Sequence, residues 1–514
     1  MTKEMSILKK IFIILIALSI MVGLLSITAF AADESIDDAP AEGTVLRVRG
    51  LKKDGTTMVK IDDFDNFVGG WNYAMGLADD EDYMEDNEYD RIVVDLYADW
   101  TATGGEFSNS GTGFDYDAIY FQNGVRFTLN MNGHTINRAM TTWEYNGEVM
   151  SVDEDADVII NDGTIKGGWS CNGAGGIHIQ DDARVELNNV NIVGNTVEDD
   201  DGGGIAVYDG ATLVMNGGSI DNNEAKSSSV SWLFSAGVYV EDSTASFNNV
   251  TFKNNHSAGR YSYKQDQTET YSTYGVALYV KESDITIDSC HFYDNGRKHG
   301  NFLDTQSIIC VRDVGEMTIR NTDFRGNGDV QYLTNGHYDM YLGTQLFDIG
   351  DSDVTIENCS FTGNNTTVIF DIDSKSTLNV SDTDFTDNSS SVYYGAIENS
   401  STSAFTNCTF DRNNPSRKYP YSFEFVNRGN QPTFVDCDLG NSTFNDRGRA
   451  NIVDTDAQNG TASIFGEGSL AMIVSIVAII AAGAAILVSV STKKALAADK
   501  TENAEESETE KSAE

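Results

Sequence analysis

The stretch Val354-Thr355-Ile356-Glu357-Asn358-Cys359-Ser360-Phe361-Thr362-Gly363-Asn364 decides how the rest of this chain is read. Val354 and Ile356 alternate as a strand does, and so do Cys359 and Phe361. The step from Ile356 to Cys359 is three, so the chain turns a corner at Glu357-Asn358. Asn364 follows three residues after Phe361 and marks a polar turn. Two short strands with a bend between them fit no helical period.

The same frame recurs along most of the chain. Its last apolar position is filled by Ile136, Ile165, Ile192, Ile220, Phe252, Phe292, Phe324, Phe361, Phe385, Phe410 and Leu439. Asn195, Asn223, Asn255, Asn295, Asn327, Asn364, Asn388 and Asn413 stand three residues beyond it. The frames are spaced 24 to 40 residues apart. A fixed frame with variable spacing is the pattern of a solenoid whose insertions fall at one place per coil. Leucine-rich repeats also place an Asn after an apolar strand, but they need Leu and a far-side helix. Here Leu is scarce and no helical period separates the frames. A second strand set accompanies them, at Ile177-His178-Ile179, Ile205-Ala206-Val207, Val238-Tyr239-Val240, Leu278-Tyr279-Val280 and Ile397.

The expected fold is therefore all-β: a right-handed parallel β-helix solenoid of about eleven coils with an N-terminal capping helix and strands, plus one C-terminal transmembrane helix. Neighbouring coils lie about 4.8 Å apart, so equivalent inward side chains stack, and the rod is on the order of 50 Å long. The Phe column runs from Phe252 to Phe410. The Asn column is expected to form amide ladders that satisfy turn backbone groups. The Gly-Gly pairs are expected to supply positive φ at coil corners. The cap is expected in residues 32–119, with a helix over Asp65–Asp79, an acidic loop from Asp79 to Asp86 and a strand at Arg91–Trp100. It covers apolar surface and strand edges that an open coil exposes.

The signatures Gly203-Gly204-Ile205 and Gly395-Ala396-Ile397, with Phe-x-x-Asn at Phe252–Asn255, Phe292–Asn295, Phe324–Asn327, Phe361–Asn364, Phe385–Asn388 and Phe410–Asn413, resemble those of polymorphic outer-membrane proteins. More widely, the chain resembles adhesin-like right-handed parallel β-helix surface proteins of the pectate-lyase-like class. The likeness covers roughly residues 120–445 and implies the fold; it carries little about activity. No C-terminal β-barrel pattern accompanies it, so the autotransporter mechanism is not implied.

Beyond the solenoid of residues 120–445, residues 446–469 read as a stalk. Leu470–Val490 is an uncharged apolar run of 21 residues, about 31 Å as a helix. Lys493-Lys494 follow and place the acidic tail of residues 492–514 in the cytoplasm. At the other end, Lys9-Lys10, the apolar run Ile11–Leu25 and Ala29-Phe30-Ala31 read as a signal peptide of residues 1–31; an uncleaved anchor is the alternative. The expected location is the cell membrane, single-pass, with the β-helix outside. A formal charge of −45 excludes a nucleic-acid surface. Cys290, Cys359, Cys408 and Cys437 share one frame position and read as small buried residues in an internal stack; a disulfide between neighbouring coils is the alternative.

Chemistry-bearing residues concentrate in the insertions after the Asn turn. Arg260, Tyr261, Tyr263, Lys264, Tyr271 and Tyr274 fall in the first, Lys298 in the second, Tyr332 and Tyr341 in the third, and Lys418, Tyr419 and Tyr421 in the last. Tyr beside Lys or Arg on so acidic a chain reads as a ligand-binding edge, with rings for sugar faces or protein contacts and cations for an acidic glycan. The expected function is an adhesin or glycan-binding rod; a polysaccharide lyase or other carbohydrate-active enzyme on an acidic glycan is the alternative. A lyase would need a Lys or Arg base converging with carboxylates on one strand face. Partners are the membrane and a polysaccharide or surface protein. No catalytic residue and no cofactor is assigned. Asn321-Thr322-Asp323 matches a polygalacturonase tripeptide but lacks that family's other motifs. His134 reads as an inward, hydrogen-bonded structural residue. Asp199, Asp200 and Asp201 are weak Ca²⁺ candidates without a recognised loop spacing.

Overall fold

The computed structural model describes residues 39–455 except 104–113, 116–117, 228–231, 260–261, 265–266, 270–271, 297–306, 329, 335–338, 390–396, 414–423, 428–431, 441–442 and 445–449. The expected signal peptide, transmembrane run and tail lie outside the described residues. Among the described residues no helix is long and apolar enough to cross a membrane. The chain divides into two units, Met1–Val453 and Asp454–Glu514. The strands and helices of the described residues all fall in the first.

Its body is a parallel β-helix. Each frame forms two short strands in a broad sheet: Asp353–Glu357 and Ser360–Thr362 pair in parallel with Thr377–Ser381 and Asp384–Thr386 of the next coil. A second sheet runs Ile177–Ile179, Ile205–Val207, Val238–Glu241, Leu278–Lys281, Ser307–Arg312, Gln345–Gly350, Val368–Ile372, Ile397–Asn399. A third has four strands: Trp169–Ser170, Thr196–Glu198, Glu224–Ser227 and His256–Gly259.

The inward columns fall where period two puts them. Successive rings Phe252, Phe292, Phe324, Phe361, Phe385 and Phe410 stack with centroids 4.4 to 5.0 Å apart. The Asn column is a continuous amide ladder from Asn195 to Asn413, buried throughout. Each Nδ2 donates to the Oδ1 of the next Asn at 2.9 to 3.2 Å. It donates also to a backbone carbonyl of the preceding coil, as Asn364 does to Phe324. Each Oδ1 then takes the backbone N–H of the Asn beneath, as Asn364 takes that of Asn327.

All six cysteines are free. The stacked ones are not merely apolar filler. The Cys359 N–H donates to Thr383 Oγ1 and the Cys408 N–H to Cys437 Sγ, so thiol and hydroxyl serve alternately as corner acceptors in one column. Cys437 and Leu439, in the last frame, are only half-buried.

The expected role of the Gly-Gly pairs is corrected. Gly175, Gly176, Gly203 and Gly204 do not have positive φ. They are required by close stacking: a Cβ on Gly176 would lie 2.3 Å from the Gly204 carbonyl oxygen, and one on Gly204 would lie 2.7 Å from that of Gly237. The left-handed corners fall elsewhere. Asn189, Asn249, Asn321, Asn358, Asp382 and Asn407 hold φ between 50° and 55°, residue types whose short polar side chains tolerate that region. Asn358 is the bend seen in the opening stretch.

At the N-terminal end, Leu46–Lys52 pairs antiparallel with Met58–Phe64 and Tyr89–Leu96. Tyr89–Leu96 then pairs in parallel with Arg126–Asn130 of the first coil. Helix Phe67–Ala78, capped by Asn66, lays Trp71 against Phe121 and Phe127, plugging the apolar interior. The acidic segment expected as loop carries a short helix, Glu81–Asp86. Asp80 caps it, and Glu81 and Asp82 occupy its first turn, where the helix dipole favours anions. At the other end, Asn451–Val453 adds to Thr433–Val435, inside the segment expected as stalk.

Candidate functional site

The outer face of the second sheet holds the candidate site. Register places His178, Ala206, Tyr239, Tyr279, Cys310, Asp348 and Asp371 in one column, one residue per coil. All are outward positions flanked by inward Ile, Val, Leu or Phe. The first half of the column is aromatic. Tyr239 and Tyr279 stack at 5.1 Å, and Tyr208 meets Tyr239 at 5.2 Å. Phe234 covers Tyr279 at 4.7 Å and meets Tyr274 at 6.0 Å. Phe234 and Tyr274 lie on Trp232–Phe234 and Ser272–Tyr274, two insertion strands that pair in parallel. The insertions therefore fold back over this face, and Cys310 is buried beneath them.

Beyond Cys310 the column turns acidic. Arg312 lies opposite Gly350, where a Cβ would stand 3.0 Å from its Nη1. The missing side chain leaves room for the guanidinium to cross the strand, donating through Nη1 to the Asp348 carbonyl at 3.1 Å and through Nη2 to the Asp348 carboxylate. Burial opposes its charge, but Asp348 beside it holds the guanidinium protonated even above its ordinary range. Asp371, one coil on, accepts from Gln345 Nε2 at 2.7 Å. Lys375 Nζ pairs with Asp351 at 2.5 Å. Asp373 takes the Ser376 hydroxyl at 2.7 Å and the N–H groups of Lys375 and Ser376, which hold its carboxyl below the usual value in spite of partial burial. These side chains border a pocket of about 410 Å³, lined by five aspartates, one arginine and one lysine. Two carboxylates on successive coils with a fixed guanidinium put hydrogen-bond acceptors and donors together in one pocket.

No motif in the sequence marks this column. Its members are dispersed over the chain, and only the register brings them into line. The alternation of the second strand set marks His178, Ala206, Tyr239 and Tyr279 as outward, but nothing in the sequence pairs Arg312 with Gly350.

Of the expected ligand-binding residues, Tyr274 is half-buried in the aromatic cluster, and its hydroxyl pKa is raised by burial and by Asp348 nearby. Tyr263 and Lys264 fall on Ser262–Lys264, which forms a hairpin with Gln267–Glu269. Tyr332 stands opposite Tyr341 in a second hairpin. Arg260, Tyr261, Tyr271, Lys298, Lys418, Tyr419 and Tyr421 lie outside the described residues.

The Asp triplet does not converge. Asp199 takes the Ser227 hydroxyl at 3.0 Å, and Asp200 takes the N–H groups of Gly173 and Asp201. Burial, then the charge of Asp200, pushes Asp201 well above the usual carboxylate range. Among the described residues no group of three His, Cys, Asp or Glu side chains is arranged to hold a metal ion. Thr322 is buried in the Cys column, and Asp323, half-exposed, faces His291 at 3.3 Å. His134 is hydrogen-bonded as expected, but to Asp99 at 3.2 Å and half-exposed rather than inward.

Residues 236–414 match the family described as the right handed beta helix region. No curated protein and no solved structure matches the chain. The parallel sheets and this match together support a β-helix fold, with the right-handed family match confined to residues 236–414.

Proposed function

We propose that the chain is an exported, membrane-anchored β-helix rod that binds a glycan on the outer face of its second sheet, an adhesin-type role. The observation that carries this is the Arg312–Asp348–Asp371 pocket, continuous in one register column with the Tyr279–Tyr239 stack and overlaid by insertion strands. Aromatic rings beside fixed polar groups suit sugars. The pocket's excess of aspartate favours a neutral glycan there, in place of the acidic one expected from the basic loops. Export and anchorage rest on Ile11–Leu25 and Leu470–Val490. Protease shaving of intact cells should remove the β-helix and leave a small membrane-bound fragment; full protection would sink the topology.

For binding, the full-length chain is tested on a glycan array beside Asp348→Asn and Asp371→Asn. Each substitution should lower retention of the bound neutral glycan by tenfold or more. Unchanged retention would refute the pocket.

A second reading is a glycoside hydrolase, favoured by Asp348 and Asp371 on adjacent strands. Strand spacing of about 4.8 Å is near the carboxylate separation of about 5–5.5 Å used by retaining enzymes. Release of reducing ends that Asp371→Asn abolishes would establish it. The convergence of Arg312 and Lys375 with these aspartates is also the arrangement a polysaccharide lyase needs; new ultraviolet absorbance from unsaturated products of a uronate polymer would establish that reading instead.

A further inference from the structure

A separate aromatic platform lies on the third sheet. The parallel bridge Glu144↔Ser170 sets Trp143 beside Trp169 of the next coil and Tyr145 beside Cys171. The Glu144 N–H donates to the Trp169 carbonyl at 3.2 Å, fixing that segment to the sheet. Ser170, Val197 and Ala225 of the same rows are buried, so their neighbours in the strands point outward. The outward set is Trp143 and Tyr145, then Trp169, Glu198, Glu224 and Lys226.

These groups are arranged in a definite way. The Trp169 indole N–H donates to Glu198 Oε2 at 3.1 Å, and Lys226 Nζ sits 4.1 Å from the ring centroid. Lys226 pairs with Glu224 at 2.7 Å, and Glu224 faces His256 at 3.5 Å. Trp169 is thereby locked, while Trp143 is 52% and Tyr145 68% exposed. Four large hydrophobic side chains are exposed among the described residues, and two of them are these neighbours. Glu198, Glu224 and Lys226 stand on the same sheet in the coils that follow.

From this we infer that Trp143 and Tyr145, set beside the Lys226-covered Trp169 and edged by Glu198, form a second binding platform for a neutral saccharide. A pyranose presents C–H groups on its face and hydroxyls at its rim. The rings suit the first and the charged rim the second. An acidic ligand is disfavoured by Glu144, Glu198 and Glu224 and by the chain's charge of −45. The platform is on a different sheet from the Arg312 pocket, so neither reading depends on the other.

The test is a tryptophan-fluorescence titration of the full-length chain with cellohexaose, xylohexaose, mannohexaose and chitohexaose. At least one should produce a saturable change. Trp143→Ala read by the remaining tryptophans, and Tyr145→Ala, should each weaken that binding tenfold or more; both positions are exposed, so the fold is retained. Asp348→Asn should leave it unchanged, which separates this site from the pocket. Absence of binding by all four sugars, or wild-type affinity in the Trp143→Ala/Tyr145→Ala double variant, overturns the inference. So would self-association that the double variant abolishes, because the patch would then be a contact between copies.

Discussion

Asn364 Nδ2 donates to Asn388 Oδ1 at 2.9 Å, and the same Asn388 oxygen takes the Asn364 backbone N–H at 3.1 Å. One amide thus joins two coils and satisfies a corner that no sheet partner reaches. Asn364→Ala strips Asn327 of the acceptor for its Nδ2 and backbone N–H, and Phe324 of a donor to its carbonyl. Several buried polar groups lose partners at once, so destabilisation on the order of 3–5 kcal/mol is expected. Urea unfolding monitored by circular dichroism checks it; a loss below about 1 kcal/mol would mean the ladder contributes little.

Cys359 shares its column with Thr322 and Thr383, whose hydroxyls donate to Arg320 and Ser381 carbonyls at 2.7 Å as the Cys359 thiol does to that of Glu357 at 3.3 Å. Cys359→Thr should change stability by less than about 1 kcal/mol, while Cys359→Leu overpacks the corner and costs about 1–3 kcal/mol. Equal losses in the two variants would show that the position reads size alone.

Arg412 holds φ 48° where Gly194, Gly326 and Gly363 stand in other coils at 63° to 65°. Its ion pair with Asp387 is largely exposed and contributes little. Arg412→Gly should raise stability by about 0.5–1 kcal/mol by removing the left-handed penalty. A lower melting temperature in scanning calorimetry would contradict this.

Burial lifts Glu148 to about 7 from 4.5, against the opposing pull of Arg138. The folded chain then keeps a proton that the unfolded chain releases across that interval. The contribution is full below about pH 4.5, is lost as pH rises to about 7, and is flat above. The total is on the order of 3 kcal/mol. Glu148→Gln keeps an acceptor for the Ser170 hydroxyl and removes the titration. Its unfolding free energy should therefore fall less between about pH 5 and 8 than that of the parent chain; parallel pH profiles would exclude this role for Glu148.

Much of the solenoid was legible because it is written locally. The corner at Asn358, the Phe column and the Asn column follow from residue spacing within one frame, and stacking of identical coils does the rest. The Gly-Gly pairs were visible, but their reason was not: they yield to carbonyls of the next coil, which a single frame does not contain. Trp143 and Tyr145 lie between frames and carry no periodic mark.

The sequence by itself determined the fold class, the inward columns and the turn from which insertions leave, because these depend on side-chain alternation and on short-range corner geometry. Tertiary structure alone decided which outward residues meet. Arg312 and Asp348 are 36 residues apart, and the distance between coils along the chain varies with every insertion. Only the hydrogen-bonded register of the second sheet sets Arg312 across Gly350, brings Asp348 beside Asp371 and so makes a pocket of them.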